Sequence, residues 1–311
     1  MTDMDQQPIY IVCAADDKFV MPLAVMLKSL LLNSRKYKKI IIYILDSGIQ
    51  PDSKQMLIDS IKTAGSDIRF IAIDLTPVQG LKAGGRITLA TYSRLLIGSI
   101  LPDNIKKVIY LDADLIINED IGKLWDLPMG EHYLLAAQDQ GERALYVSSP
   151  HGLSNYKELG IEPDCPYFNA GVLVIDMDRW RNNNIGQKVI EYIRQNPDHI
   201  RFWDQDGLNA LLHHNWGKLD LRWNVIIQMH INSSWDAGPV KDKKTYRRVV
   251  KRPYIIHFNG IFRPWIPYVN HPYKRAFFHY LDMTKWRGWR PKESLLKAMI
   301  LKIKGLRKYK T

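Results

Sequence analysis

The chain has 311 residues, 46% of them hydrophobic, which is enough for one large α/β domain or two small ones. Its formal charge is +12, but residues 285–311 hold ten Lys or Arg against one Glu and leave only +3 for the rest, so a nucleic-acid-binding protein is not indicated. Two cysteines do not make a disulfide framework, and no stretch approaches the ~20 apolar residues that span a bilayer. Because the first apolar run is too short for a signal peptide, we expect a cytoplasmic protein.

In chain order, strands and helices alternate four times with short connections. Strands are predicted at 9–14, 40–45, 68–73 and 107–111, and helices at 20–33, 51–64 and 92–100. This alternation is typical of a doubly wound, mostly parallel α/β sheet, whose ligands bind at the carboxyl ends of the strands. The first strand is not followed by Gly-x-Gly-x-x-Gly or Gly-x-x-x-x-Gly-Lys, which argues against a dinucleotide oxidoreductase and a P-loop NTPase.

The alternation weakens after Asn118, and no linker or repeat divides the chain. Further strands are predicted at 133–138, 170–176 and 254–257, and further helices at 187–194 and 206–214. The segment 239–252 has seven basic residues and one Asp, which indicates a charged surface segment.

Two carboxylates, Asp112 and Asp114, directly follow the apolar strand predicted at 107–111. Side chains at i and i+2 of an extended chain point to the same face, so both can converge on one point at the carboxyl end of the strand. Such a pair needs a counter-cation, and oxygen-rich sites suit magnesium or manganese that bridges to substrate phosphates. A solvated turn is the simpler interpretation of an isolated Asp-x-Asp, because Asp is common in turns.

Two other places in the first half of the chain have both a structural and a functional interpretation. Asp16 and Asp17 follow the first strand, where they either cap a turn or helix or bind a nucleobase or ribose. Arg94 lies early in its predicted helix, against the preference of the helix dipole. It is therefore either a surface Arg or the partner of an acidic group, such as a diphosphate or the Asp pair.

The second half of the chain has three such places. Asn169, followed by two small residues, either forms a tight turn before a strand or faces the hydroxyl groups of a ligand. The run Trp203–Asp206 opens a helix; an N-cap explains one Asp, whereas Trp with carboxylates and an amide is typical of a sugar pocket. A lone His after a strand is more often structural, but beside the Asp pair His257 fits a third ligand and favours manganese.

Taken together, these segments resemble glycosyltransferase family 8, in particular the bacterial lipopolysaccharide α-galactosyltransferases and α-glucosyltransferases, with glycogenin more distant. The motifs that carry the resemblance are Ala14–Asp17, Thr91–Leu95, Tyr110–Asp114, Leu124–Asp126, Phe168–Val172, Asp204–Asp206 and His257 with Pro264–Trp265. The resemblance implies a GT-A fold over residues 1–284, with a nucleotide-sugar crevice at the carboxyl ends of the strands. It also implies an anomer-retaining transfer of galactose or glucose from a UDP-sugar to a saccharide or lipid-linked saccharide, dependent on manganese, with magnesium as the alternative ion.

Carried over by position, the family's site falls on thirteen residues of this sequence. The metal ligands would be Asp112, Asp114 and His257. Uridine would meet Ala14, Asp16 and Lys18, and the donor sugar would be surrounded by Arg94, Asn169, Asp204 and Gln205. The diphosphate would contact Gly260 and Arg263, and Ala113 would join the donor-binding set. The family usually has Lys where this chain has Arg263, which keeps the charge and can bind phosphate with two hydrogen bonds.

The resemblance also raises the question of how the anomeric configuration is retained. Departure of UDP develops negative charge, which manganese and Arg263 would stabilise. Retention of configuration needs either a covalent intermediate or attack from the side of the leaving group. The aligned residue is Gln205, an amide and a poor nucleophile. We therefore expect attack from the leaving-group side, with a diphosphate oxygen accepting the proton of the acceptor and with Asp204 as the alternative nucleophile.

Three other functions stay open on the sequence. A sugar-phosphate nucleotidyltransferase shares the sheet and the paired carboxylates, but it would need a glycine-rich basic loop that residues 14–19 lack. A haloacid-dehalogenase-type phosphatase normally carries its Asp-x-Asp after the first strand. A non-catalytic membrane-surface binding protein explains the basic tail and leaves the interior polar groups unexplained. No protein partner is indicated.

The C-terminal tail, residues 285–311, predicts association with a membrane surface. Its segment 293–309 has apolar residues at helical spacing among Lys and Arg, and two Trp precede it. A helix docked on the domain needs only the apolar stripe, whereas an interfacial helix also needs the charge and Trp at the level of the headgroups. We therefore expect peripheral binding to the anionic cytoplasmic face of a membrane.

Overall fold

The computed structural model describes residues 8–34, 39–62, 66–82 and 89–292. Within these ranges, ten strands form two sheets. The strands are β1 (Ile9–Ala15), β2 (Ile40–Asp46), β3 (Ser66–Ala72), β4 (Lys107–Leu111), β5 (Leu115–Ile117), β6 (Leu134–Gln138), β7 (Phe168–Asp176), β8 (Trp216–Lys218), β9 (Val225–Ile226) and β10 (Ile255–His257). Seven of them make the central sheet, in the order β3-β2-β1-β4-β7-β6-β8.

Every neighbouring pair in the central sheet is parallel except the two pairs that include β7. The mostly parallel sheet predicted from the sequence is therefore confirmed. Because β7 runs in the opposite direction, Leu111 at the end of β4 pairs with Val172 near the start of β7. The first residues of β7 consequently lie at the edge where the parallel strands end.

Helices cover both faces of the sheet because successive strand residues alternate between two apolar cores. In β2, Ile40, Ile42 and Ile44 pack with the helices that follow β1 and β2, whereas Ile41 and Tyr43 pack on the other face with the later helices. The helices are α1 (Val20–Asn33), α2 (Pro51–Ile61), α3 (Ile97–Ile100), α4 (Ile121–Trp125), α5 (Met177–Asn182), α6 (Ile185–Gln195), α7 (Asp204–Leu212), α8 (Gln228–Ile231), α9 (Lys243–Lys251) and α10 (Lys274–Leu281).

A second, three-stranded sheet has the order β5-β10-β9. Its strand β10 agrees with the strand predicted at 254–257, whereas β5 and β9, which are three and two residues long, are not evident from the sequence. β10 pairs antiparallel with β5 and parallel with β9, and His257 lies opposite Leu115 and Ile226. This small sheet brings a residue from late in the chain beside the turn that follows β4.

Two predicted elements differ in detail from the observed ones. The helix predicted at 92–100 is mostly a 3₁₀ helix, Leu89–Leu96, followed by the single α-helical turn α3. The basic segment 239–252 contains a regular helix, α9, with Asp242 as its N-cap: the Asp242 side chain accepts from the Thr245 N–H. None of the helices in the described ranges has the length and apolar character needed to cross a bilayer.

The helix predicted at 293–309 lies outside the described residues, but the first part of the tail is described. The N–H of Lys285 donates to the Ser60 hydroxyl at 2.8 Å, and Trp286 packs against two apolar clusters of the domain. Arg290 forms an ion pair with Asp282 at 2.7 Å. The chain up to Lys292 is thus attached to the domain.

Candidate functional site

One cavity of about 990 Å³ lies at the carboxyl edge of the central sheet. All thirteen residues predicted from the sequence line it: Ala14, Asp16, Lys18, Arg94, Asp112, Ala113, Asp114, Asn169, Asp204, Gln205, His257, Gly260 and Arg263. The structure thus brings all thirteen residues to a single crevice, whereas the role of each residue stays a prediction.

The fold explains how these distant residues meet. Asp112 and Asp114 lie in the turn between β4 and β5, and His257 ends β10, which pairs with β5. Asn169 enters from the start of the reversed strand β7, and Asp204 is the first residue of α7. Strand ends, one strand start and a helix N-terminus therefore point into the same space.

Asp112, Asp114 and His257 form a compact triad. One potential ligand atom from each residue lies within 4.8 Å of the others, and within the described residues no other group of three such side chains does so. The Nε2 atom of His257 is 3.3 Å from an Asp114 oxygen and 3.7 Å from an Asp112 oxygen. Both Asp114 and His257 are buried, which limits competition from water.

A chain of hydrogen bonds fixes which nitrogen of His257 carries a proton. The Gly171 N–H donates to Oδ1 of Asn169 at 3.0 Å, which leaves the Asn169 amide nitrogen to donate to Asp139, also at 3.0 Å. The Asn224 amide nitrogen donates to Asn169 Oδ1 at 2.8 Å, so Asn224 Oδ1 is the acceptor that faces His257 Nδ1 at 2.9 Å. Nδ1 therefore carries the proton and Nε2 presents a lone pair.

This arrangement fits a divalent cation. The lone pair of His257 and the oxygens of Asp112 and Asp114 are all acceptors, and they repel one another unless a proton or a cation lies among them. Two carboxylates and an imidazole are a donor set suited to manganese, and the Asn224 hydrogen bond is the kind of outer contact that orients a ligating His. The three residues together can hold such an ion.

Gly171 makes room for the triad. A Cβ atom at this position would lie 2.4 Å from Cε1 of His257 and 3.0 Å from an Asp112 oxygen. Any larger residue would displace the imidazole, so a glycine is required at this close approach.

Arg94 is buried among carboxylates, and its partners are Asp112, one member of the Asp pair, and Asp204. Its guanidinium lies 2.8 Å from Asp112 and 2.6 Å from Asp204, and it also donates to the Ala170 carbonyl. Burial alone would favour the neutral form, but the charges of Asp112 and Asp204 outweigh it and raise the pKa of Arg94 above its usual value. Arg94 therefore ties the start of α7 to the turn after β4.

Arg263 lies on the opposite side of the triad. It donates to Asp114 from two nitrogens, at 3.1 and 3.3 Å, and its guanidinium lies 4.9 Å from the centre of the Phe19 ring. Burial would raise the pKa of Asp114, but a proton on the His257 nitrogen that faces it, in the absence of a cation, and the charge of Arg263 hold this pKa below its usual value. Asp114 is thus kept as a carboxylate.

Asp204 and Gln205 enter the cavity from a strained turn. Trp203, which precedes them and also lines the cavity, has φ +50° and ψ −119°, a conformation that L-residues rarely adopt. Burial raises the pKa of Asp204 to about 6, in spite of the nearby Arg94. The Gln205 side-chain oxygen accepts from the Ala170 N–H at 3.0 Å, which fixes the orientation of the amide.

The two aspartates in the loop after β1, Asp16 and Asp17, have different surroundings. Asp16 accepts from the Phe19 N–H at 3.1 Å and lines the cavity, so it is both a cap and a cavity residue. Asp17 does not line the cavity and instead accepts from the Gln50 N–H at 3.0 Å. The structural interpretation thus holds for Asp17.

Sequence reasoning missed Asp139 and Asn224. Asp139 directly follows the strand predicted at 133–138, so the rule that ligands meet strand ends could have identified it. It is buried, which raises the pKa of its carboxyl group. Asn224 is the last residue of a short 3₁₀ helix, Leu221–Asn224, before β9 and gives no signal in the sequence.

The cavity is also lined by Glu142, Arg143, His151, Phe202 and Asn232, among others. We call the part of the cavity lined by these residues and by α8 its far half. None of these residues was selected from the sequence. They come mainly from the connection between β6 and β7 and from the residues around α8. The cavity therefore extends beyond the residues that are predicted to bind the donor.

The comparison with protein families decides between the candidate functions. The family profile described as Glycosyl transferase family 8 matches residues 10–267. The chain belongs to glycosyltransferase family 8. It is accordingly an enzyme of the glycosyltransferase class, and the nucleotidyltransferase, phosphatase and non-catalytic interpretations are set aside.

Individual family 8 relatives extend the similarity over most of the chain. General stress protein A of Bacillus subtilis (strain 168) is 34% identical over 281 residues, 89% of this chain and 94% of that protein. Lipopolysaccharide 1,3-galactosyltransferase of Salmonella typhimurium is 25% identical and covers 91% of this chain and 80% of its own.

Among solved structures, the galactosyltransferase LgtC in complex with donor and acceptor sugar analogues superimposes with a TM-score of 0.76. It is 27% identical, and the similarity covers 89% of this chain and 96% of that one. The fold is therefore the GT-A fold, as expected from the sequence.

Proposed function

We propose that this family 8 enzyme transfers galactose or glucose from a UDP-sugar to a saccharide or lipid-linked saccharide acceptor, with retention of the anomeric configuration. The observation that carries the proposal is the triad of Asp112, Asp114 and His257 in the same cavity as Arg263 and Asp204. Relatives named as lipopolysaccharide galactosyltransferase and glucosyltransferase support a hexose donor.

The triad would hold manganese, or magnesium in its place. When bound, the ion supplies positive charge against a diphosphate and orients its oxygens. Arg263 faces the same point and, with Gly260, would bind the diphosphate as negative charge develops on departing UDP. Its present partner is Asp114, so a phosphate oxygen would compete with that carboxylate for the guanidinium.

The uridine would occupy the part of the cavity lined by Ala14, Asp16 and Lys18. One oxygen of Asp16 accepts from the Phe19 N–H, which leaves the other oxygen to accept from an N–H or hydroxyl of the nucleoside. Ala113, which separates the two aspartates, lies beside this region. The small side chains of Ala14 and Ala113 allow a flat ligand to approach the backbone.

The sugar would lie among Arg94, Asn169, Asp204 and Gln205. Gln205 is held by the Ala170 N–H and has no negative charge, and Asp204 is paired with Arg94 at 2.6 Å. Neither group is a free carboxylate, which supports attack from the leaving-group side with a diphosphate oxygen as the proton acceptor. A volume of about 990 Å³ is at the upper end of the range for ligand sites and leaves space for an acceptor beside the donor.

The C-terminal tail would bring the enzyme to an anionic membrane, where a lipid-linked acceptor is found. The charge of residues 285–311 and their Trp residues support this localisation. The division into a catalytic domain, 1–284, and a membrane-association tail, 285–311, remains part of the proposal.

A donor panel tests the proposal. Purified protein is incubated with manganese and UDP-galactose, UDP-glucose or other nucleotide sugars, and release of UDP is measured with and without saccharide acceptors. We expect turnover of one UDP-hexose that chelation abolishes and that the Asp114→Asn variant lacks. Turnover of that variant at the wild-type rate after chelation would refute the metal assignment.

The stereochemical part has its own measurement. Proton NMR of the product reports the anomeric coupling of the new linkage, and we expect the α configuration of the donor to be kept. A β linkage would refute retention, and a glycosyl adduct on Asp204 detected by mass spectrometry would refute attack from the leaving-group side.

A further inference from the structure

The positive charge of the domain is concentrated on α9. Residues 239–252 contain seven Lys or Arg and one Asp, whereas the whole of residues 1–284 has a net charge of only +3. Without this segment the domain would be net negative. Because the rest of the domain is net negative, a general need for charge to keep the protein soluble does not explain this basic helix.

The helix presents two different faces. Val249 is buried, and Tyr246 and Val250 pack with it against Val225 and Met229. On the opposite side the residues at i, i+3 and i+7 are Lys244, Arg247 and Lys251, and all three are exposed. These three side chains form no ion pair with a carboxylate of the described residues, so their charge is directed to solvent.

α9 is rigidly attached to the wall of the active-site cavity. The Tyr246 hydroxyl donates to the Met229 carbonyl of α8 at 2.9 Å, and the Tyr273 hydroxyl donates to the Val250 carbonyl at 2.6 Å. In α8, Gln228 and Ile231 line the far half of the cavity. The helix that carries the basic face is therefore attached to a helix that lines the cavity.

An aromatic residue flanks the basic face. Trp235 is partly exposed, and its ring centre lies 6.3 Å from that of Tyr246 on α9. Indole rings are enriched at the level of lipid headgroups, where one part of the ring is apolar and the N–H is hydrated. Exposed cations beside a partly exposed Trp are the combination that an anionic bilayer surface binds.

We propose that the exposed face of α9, together with Trp235, is a second membrane-contact surface, which binds anionic lipid headgroups independently of the C-terminal tail. A contact through the tail alone would only tether the enzyme. A contact on the rigid domain also sets its orientation and turns the far half of the cavity towards the bilayer, where a lipid-linked acceptor could enter.

The test compares two full-length variants with the same change in charge. The triple variant Lys244→Gln, Arg247→Gln, Lys251→Gln removes the centre of the basic face. The control Lys106→Gln, Lys157→Gln, Lys188→Gln removes three exposed lysines elsewhere. Partitioning is measured by co-sedimentation with vesicles of phosphatidylcholine alone and of phosphatidylcholine with phosphatidylglycerol.

We expect the α9 variant to partition onto the anionic vesicles on the order of 100-fold more weakly than the wild type, and the control to be nearly unchanged. Added salt should remove the difference because it screens the surface potential. Equal binding of the α9 variant and the control would overturn the proposal. So would a DNA duplex that displaces the wild type from the vesicles at equal phosphate concentration, because the face would then belong to a nucleic acid. Equal melting temperatures of the variants establish that both are folded.

Discussion

At the residue scale, the charged groups around the triad are paired with one another. Arg94 bridges Asp112 and Asp204, and Arg263 binds Asp114. Removing one partner of such buried pairs leaves an uncompensated charge, so single substitutions here change both stability and binding. Tests of individual roles consequently need a readout that separates the two effects.

The first prediction concerns Asn224, which touches His257 but does not line the cavity. Asn224→Leu removes the acceptor for the Nδ1–H of His257, so the imidazole loses its fixed orientation. We expect manganese affinity, measured by electron paramagnetic resonance of the free ion, to fall by about 10- to 100-fold.

Asn224→Asp is the matched variant, because it keeps an oxygen acceptor towards His257. It should retain more manganese affinity than Asn224→Leu at equal protein stability. Wild-type affinity in the leucine variant would show that the hydrogen bond does not position the ligand.

The second prediction concerns the carboxyl group of Asp204. Burial raises its pKa from 3.8 to about 6 in the folded protein. The folded protein therefore binds this proton more tightly than the unfolded chain does. The Asp204 carboxyl group stabilises the fold below pH 3.8, and this stabilisation is lost as the pH rises to about 6. The free energy of unfolding of the wild type, measured in urea, should therefore fall relative to Asp204→Asn across this interval.

Above that interval the difference between the two proteins should be constant, because the carboxyl group is ionised in both the folded and the unfolded state. A difference that rises between pH 4 and pH 6 would mean that the ion pair with Arg94 dominates and lowers the pKa instead.

At the scale of elements, the reversed strand β7 contributes most to the site. Its first residues supply Asn169 and Gly171, and its pairing with β4 places them beside Asp112. The N–H of Asp112 donates to the Gly171 carbonyl at 2.9 Å, so the backbone of β7 also holds the turn that carries Asp112 and Asp114.

The third prediction follows from this packing. Gly171→Ala places a Cβ atom 2.4 Å from the His257 ring. We expect manganese affinity to fall by at least about tenfold while the circular dichroism spectrum is unchanged, since the strand itself accepts Ala.

Gly48→Ala is the control for this change. Gly48 has φ +102°, and a Cβ atom added there would meet no atom within 4 Å, so Ala costs about 1 kcal/mol of stability without touching the site. If both variants bind manganese equally, Gly171 is not required for the geometry of the triad.

The sequence predicted the central sheet because its strands are long, apolar and separated by helices of recognisable period. It also identified Asp112 and Asp114, since paired carboxylates at a strand end are a local signal. It predicted β10 but did not reveal β5, β8 and β9, which are two or three residues long and form only through tertiary pairing. Asn224 escaped notice for the same reason, because its partners are distant in sequence.

At the scale of the whole molecule, two basic surfaces and one cavity define how the enzyme would meet a membrane. Residues 285–292 pack on the domain through Trp286 and the Arg290–Asp282 ion pair. We therefore assign the proposed lipid-binding role to the segment that follows Lys292.

The fourth prediction uses this boundary. Removing residues 293–311 deletes six of the ten basic residues of the tail and leaves the packed segment in place. We expect weaker binding to anionic vesicles, while transfer to a small soluble acceptor continues at the wild-type rate. Vesicle binding that is unaffected by both the truncation and high salt would refute the role of the tail.

The pairing of β10 with β5 has a consequence for the order in which the protein matures. The first two residues of the proposed metal site are Asp112 and Asp114, but the third is His257, which joins them only when the two strands have paired. Contacts between residues so far apart in sequence form late, because closing a long loop is slow. During synthesis, a ribosome-bound chain with a folded amino-terminal half would therefore have two of the three proposed ligands. On this proposal, we expect the metal site to be completed only with the last strand, after most of the domain has been made.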